Sequence, residues 1–222
     1  MKSKSKEPAG VASRNPDRTR RRILDAAFKE FSQRGLAGGR VDVIARRARI
    51  NKRMLYHYFG DKQGLYTAVV HEKIVERRRI VAAAATPDFD VISNIGLWFR
   101  QNCYDADWIK LLAWESLQTS GNQVLAERER KQLVRQAVER IQDRQKAGLV
   151  RGDLPPEFLH LAKVSLTTFP MVLPHIARMI LGRSPHEAGF QREYEQFLGR
   201  IAEVFRAKPA SKKPGASRRR RG

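Results

Sequence analysis

Among 222 residues there is one cysteine, Cys103. A lone thiol closes no intrachain disulfide, so the fold is expected to rest on its core, and the usage fits a reducing compartment. Cys103 lies in an apolar and aromatic stretch with helical spacing, which reads as a structural thiol rather than a redox sensor. No apolar run approaches the roughly 20 residues of a membrane-spanning helix. The basic N-terminus is followed by no apolar segment of the signal-peptide kind. These absences predict a soluble, cytoplasmic protein. The marks of catalysis are missing too: there is no Gly-x-x-x-x-Gly-Lys loop, no Gly-x-Ser-x-Gly elbow and no spaced Cys/His set. His160 and His175 stand too far apart for a helical metal pair. No enzyme, metal site or cofactor is expected.

Acidic residues are also scarce, with 23 Asp and Glu against 44 Lys and Arg, a formal charge of +21. The imbalance is local. Residues 1–62 carry 17 basic and 6 acidic side chains, a net of +11, and residues 207–222 carry 7 basic and none acidic. The body between them is nearly balanced at +3, with 20 against 17. A charge excess at the ends points to a polyanionic partner for the N-terminal region, against the plainer reading of solubility alone.

Apolar residues recur at helical spacing almost throughout, and no stretch alternates as a strand does. The chain is predicted to be all-α, with about nine helices. Residues 1–14 read as a disordered basic arm. Asn15-Pro16-Asp17 reads as a helix start, followed by Ile23, Leu24, Ala27, Phe28 and Phe31, with Gly35 as the stop. Val41–Ala48 is a short amphipathic helix. Asn51 then caps a third helix ending at Gly60. A fourth is expected from Asp61 to about Ala85, a fifth over 88–104 and a sixth over 106–118. A charged helix over 123–147 carries the stripe Leu125, Leu133, Val134, Ala137, Val138 and Ile141. A long apolar helix follows to about Leu181, interrupted by Pro170 and Pro174, and the last covers about 190–206. The tail from Ala207 is basic and predicted to be disordered. The expected division is a basic arm (1–14), a small first helical domain (15–65), a larger helical domain (66–206) and the tail (207–222).

The third helix splits its residues by chemistry. Leu55, Tyr58 and Phe59 fall on one side, while Lys52, Arg53, Tyr56 and His57 form a basic and aromatic face on the other. Ile50 before the cap and Leu55 inside it fit a hydrophobic staple. Three short helices with a three-residue turn before the third match the helix-turn-helix arrangement. The third helix then reads as a probe for a DNA groove.

From about Thr19 to Val70 the sequence resembles the tetracycline-repressor (TetR) family of bacterial transcription regulators. The resemblance is carried by Ile23-Leu24-Asp25-Ala26-Ala27, Phe31, Gly35, Ile44-Ala45, Leu55-Tyr56-His57-Tyr58-Phe59, Lys62 and Leu65. It implies a homodimer that binds a near-palindromic double-stranded DNA operator and is released by a small molecule, with dimerisation through the last two long helices. It implies that Lys52, Arg53 and Met54 face base edges, that His57 lies against bases or backbone, and that Tyr56, Tyr58 and Lys62 contact phosphates. The chemistry agrees. Arg and Lys donate to guanine, Met packs on a thymine methyl, and hydroxyl and ammonium groups fix register on phosphates. Two positions depart from the family. Arg40 stands where a capping Thr or Ser is usual, and Arg49 where the turn favours Gly; both are further candidates for phosphate contact. The rest of the chain resembles the family only in layout. There Trp98, Phe99, Tyr104, Trp108, Trp114, Phe169 and Met171 are candidate lining for an effector pocket, against the alternative of ordinary bundle core. The competing reading of the whole chain is a non-specific architectural DNA-binding protein that uses its arm and tail.

Overall fold

The computed structural model describes residues 16–83, 92, 94–118 and 124–207. The expected arm, the Asn15 cap, the end of the fourth helix, the first turns of the fifth, the first residue of the helix expected over 123–147 and the tail beyond Ala207 lie outside the described residues. Within them the chain forms ten helices: α1 Pro16–Gly38, α2 Val41–Arg47, α3 Lys52–Phe59, α4 Lys62–Ala83, α5 Ile95–Tyr104, α6 Ala106–Gln118, α7 Glu127–Lys146, α8 Pro156–Val172, α9 Pro174–Leu181 and α10 Ala188–Phe205. Extended pairing among the described residues is limited to a bridge between Val150 and Arg206. The all-α expectation is met.

The tenth helix comes from a division the sequence reading had run together. The apolar segment after Pro155 is two helices bent by 89°. Pro174 opens α9 and leaves Leu173 in a non-helical conformation, as expected of a residue preceding proline. Pro170 behaves differently and stays inside α8. Proline lacks the N–H that would bond the carbonyl four residues back. That carbonyl, on Leu166, accepts a 3.0 Å hydrogen bond from the Tyr194 hydroxyl of α10. A tertiary partner replaces the lost helical bond, and the helix continues.

The chain folds as two compact units. One joins residues up to Arg77 with Lys110–Glu127; the other joins Arg78–Ile109 with the chain from Arg128. α4 and α6 each have residues in both units. The grouping takes the first unit past Leu65 and adds most of α6 to it. Its core is built from Ile23, Phe31, Ile44, Leu55, Leu65 and Ile74, the helical positions at which α1 to α4 turn toward one another. Phe31 meets Tyr66 edge-on at 5.1 Å.

In the second unit α5 packs against both α8 and α10. Phe99 meets Tyr194 edge-on at 4.9 Å, and Phe190 stacks on Tyr194 at 5.3 Å. Asn102 of α5 donates to the Thr167 carbonyl of α8 at 3.1 Å, a buried bond that fixes the register of the two helices. α7 is far less embedded than its predicted stripe suggested. It begins at Glu127, Leu125 precedes it, and Ile141 is its one buried side chain while Val134 is half exposed. Cys103 is half-buried, and burial with the neighbouring Glu195 charge pushes its thiol up to about 11. At neutral pH it is a protonated, weakly reactive group.

Candidate nucleic-acid interface

The first unit holds α3 by four local devices. Asn51 caps it, its Oδ1 accepting from the Met54 N–H at 2.7 Å. Leu55 is fully buried and anchors the inner face. Gly60, at φ 76°, closes the far end with its N–H on the Tyr56 carbonyl. The turn before α3 is held from α1, where the Arg22 guanidinium donates to the carbonyls of Ala48 and Arg49. Arg49 sits at φ 54°, the left-handed conformation that favours glycine and costs another residue roughly 1 kcal/mol. Arg22 therefore braces the turn where a side chain replaces the family's glycine.

α2 begins without a side-chain cap, because Arg40 at its N-cap has no acceptor to offer. The acceptor comes from α1. Glu30, almost wholly buried, takes the Arg40 N–H on Oε1 at 3.2 Å and pairs with Arg34 at 3.4 Å. A carboxylate there also complements the positive end of the α2 dipole. α1 itself breaks at Gly35, where φ is 66° and an added Cβ would lie 2.5 Å from Gln118 Nε2. Gln118, at the end of α6, accepts from the Leu36 and Ala37 N–H groups at 2.9 and 3.4 Å. The helical turn after Gly35 is thus capped from another helix of the same unit.

On this frame the predicted residues fall as follows. Lys52, Arg53, Tyr56 and His57 are exposed, and Met54 and Tyr58 are half-buried. Arg40 and Arg49 are exposed beside them. Asp42, in the first turn of α2, lies 3.6 Å from Lys52 Nζ and 3.5 Å from an Arg40 guanidinium nitrogen. Its own backbone N–H, with Lys52 and Arg40, holds its carboxyl below the usual carboxylate range. Two predicted residues have intramolecular partners the sequence did not reveal. Lys62 Nζ donates to the Ala37 carbonyl at 2.9 Å, and the Tyr58 hydroxyl reaches the Pro16 carbonyl at 3.5 Å. Glu30 and Gln118 were not singled out from sequence. Glu30 alone left a legible trace, as an acid on the apolar face of α1 three residues after Ala27.

The candidate effector residues do not gather in one place. Phe99, Trp108 and Met171 are buried in the second unit, and Trp98 is partly so. Tyr104 is 90% exposed at the end of α5 and Phe169 is 42% exposed on the outer face of α8. These two line no interior. Trp114 belongs to the first unit. Aromatic character alone did not separate inward from outward positions on these helices. Among the described residues no His, Cys, Asp and Glu group has a metal-holding arrangement, and no single helix is long and apolar enough to cross a membrane.

Comparison with known proteins bears on the whole arrangement. Residues 23–69 match the family of bacterial regulatory proteins of the tetR type, and residues 95–193 match the tetracyclin repressor-like C-terminal domain. The transcriptional repressor SCO4008 of Streptomyces coelicolor is 29% identical over 172 residues, covering 78% of this chain and 88% of that one. The transcriptional repressor NicS of Pseudomonas putida is 48% identical over 61 residues, a match confined to 29% of its length. The solved structure of SCO4942 from Streptomyces coelicolor superposes with a TM-score of 0.70 at 23% identity, over 86% of this chain and 99% of that one, and so shares the fold. With both halves matched in order, the chain belongs to the TetR family and is a DNA-binding transcriptional regulator.

Proposed function

We propose that the protein is a homodimeric repressor that binds a near-palindromic operator through α3 and leaves it when a small apolar or amphiphilic effector enters the second unit. The observation that carries this reading is the outer face of α3, where Lys52, Arg53, Tyr56 and His57 are all exposed on a helix pinned at both ends. In it Lys52, Arg53 and Met54 read base edges, while Tyr56, Tyr58, Lys62, Arg40 and Arg49 position the helix on phosphates. His57 lies against bases or backbone. Dimerisation is supported by apolar side chains left exposed on the outer faces of α8 and α10. Phe158 is 68% exposed, Leu161 59%, Phe197 46% and Val204 59%. Large apolar side chains left exposed along these helices fit a site of association. Half-sites on an operator lie about 34–36 Å apart, so an effector acting through α4 or α6, which run into both units, weakens binding by shifting the two α3 helices off that spacing. The alternative of a non-specific architectural protein is not favoured, since the matched relatives are transcriptional repressors.

The test is Lys52→Ala with Arg53→Ala. Operator binding in a gel shift should vanish while sedimentation still gives a dimer. An unchanged shift would show that α3 is not the reading element.

A further inference from the structure

Asp42 is the one carboxylate among residues 40–60, a stretch that carries six Lys and Arg. It stands in the first turn of α2, and each of its oxygens is matched to a different cation. Oδ1 lies 3.6 Å from the ammonium of Lys52, the first residue of α3, and Oδ2 lies 3.5 Å from the Arg40 guanidinium. The backbones that carry this bridge are held independently of it. Glu30 takes the Arg40 N–H, and Asn51 caps the turn that Lys52 opens. All three side chains of the bridge are more than half exposed, so it adds little to the stability of the fold.

On a face that meets DNA, an acid repels phosphates and so costs affinity. Its effect on the neighbouring Lys52 depends on what Lys52 meets. A free ammonium is drawn to any phosphate, and that attraction carries no sequence information. An ammonium paired with a carboxylate has little net charge to offer a phosphate, yet it still has N–H groups to donate, because it carries three. A guanine edge presents two neutral acceptors, N7 and O6, and needs only those donors. Pairing therefore weakens Lys52 more against a phosphate than against a guanine. Discrimination gained by weakening the wrong complex is a recognised route to specificity. Arg40, as a phosphate contact, is weakened alike on every DNA and alters affinity without altering preference.

We propose that Asp42 is a specificity-determining residue, which by pairing with Lys52 weakens binding to DNA at large more than binding to the operator. It acts through Lys52 and is a positioning residue. This rests on the reading of α3 as the DNA-reading helix and adds to it a source of the sequence preference.

The test begins with the full chain selecting its preferred sequence from a library of random duplexes. Fluorescence anisotropy then gives Kd on that sequence and on a scrambled copy at several salt concentrations. In Asp42→Asn the preference for the selected sequence should fall about two- to fivefold at physiological salt, the size of one exposed ion pair. Both DNAs should bind more tightly, the scrambled one by the larger factor. Its plot of log K against log salt should steepen by about one unit more than that of the selected sequence, the mark of one added phosphate contact. Asp42→Glu, which keeps the charge, should keep most of the preference. In a Lys52→Ala background, Asp42→Asn should leave the preference unchanged. An equal fall in binding to both DNAs, as a damaged α2 would give, would overturn the proposal. So would an undiminished preference in Asp42→Asn, or the same loss of preference when Lys52 is absent; in these cases the reading of α3 stands. If the parent selects no sequence at all, both fall.

Discussion

Removing the Glu30 carboxylate should loosen the joint that sets α2 and α3. The side chain is 3% exposed and its Oε1 takes the Arg40 N–H at 3.2 Å, at the uncapped start of α2. In Glu30→Ala that N–H loses its acceptor in a part-buried place, at about 1–3 kcal/mol. The lost negative charge at the helix start adds about 0.3–1 kcal/mol. A destabilisation of roughly 2–3 kcal/mol follows. Glu30→Gln keeps an oxygen for the N–H and loses the charge, so it should cost about 1 kcal/mol by the same figures. Urea titration followed by circular dichroism gives both values, provided the slope m stays constant between variants. Operator affinity should fall in the same order, because α2 supports α3. Equal stability of Glu30→Ala and the parent, or equal damage from the two substitutions, would refute the capping argument.

Tyr194→Phe should destabilise the second unit by about 1 kcal/mol, since it leaves the Leu166 carbonyl without the donor that substitutes for Pro170; urea titration measures it, and no effect would mean that α8 tolerates Pro170 unaided. Asp42→Asn should tighten DNA binding several-fold at low salt, because Asp42 competes with phosphates for Lys52 and Arg40; the gain should shrink as salt rises, and fluorescence anisotropy at two salt concentrations checks both. His160 gives a pH dependence. Its imidazole titrates at about 4 in the fold and at about 6.5 in an unfolded chain. The unfolded state takes up the proton first, so stability is complete above pH 6.5 and declines from there down to pH 4, by roughly 2 kcal/mol after allowance for partial exposure. Melting curves across that range should show the decline in the parent and a flatter profile in His160→Gln.

The helices that carry the proposed DNA-binding surface were legible because their signals are local. Asn51 as cap, Leu55 as anchor and the exposed Lys52, Arg53, Tyr56 and His57 all follow from spacing within nine residues, and the structure places each as spacing predicts. What was not legible depends on partners distant in sequence. Glu30 capping α2, Arg22 bracing the Arg49 turn and Gln118 capping the turn after Gly35 join positions 10, 27 and 82 residues apart. No single-sequence period reports such pairs. The Pro170 and Pro174 contrast belongs with these, for the hydroxyl that serves the Leu166 carbonyl below Pro170 comes from Tyr194, 28 residues away. In the second unit, aromatic residues were visible but their direction was not, so Tyr104 and Phe169 were expected inside while the buried Lys163 went unremarked.

The central claim is sequence-specific DNA binding by a helix-turn-helix unit, and one measurement addresses it most directly. The full chain is titrated against DNA flanking its own gene and against the same DNA scrambled, at low and at physiological salt. The account predicts that the native sequence binds at least a thousandfold more tightly at physiological salt, the lower end for specific regulators, while the scrambled DNA loses most of its affinity as salt rises. Equal affinity for the two DNAs at physiological salt would contradict it.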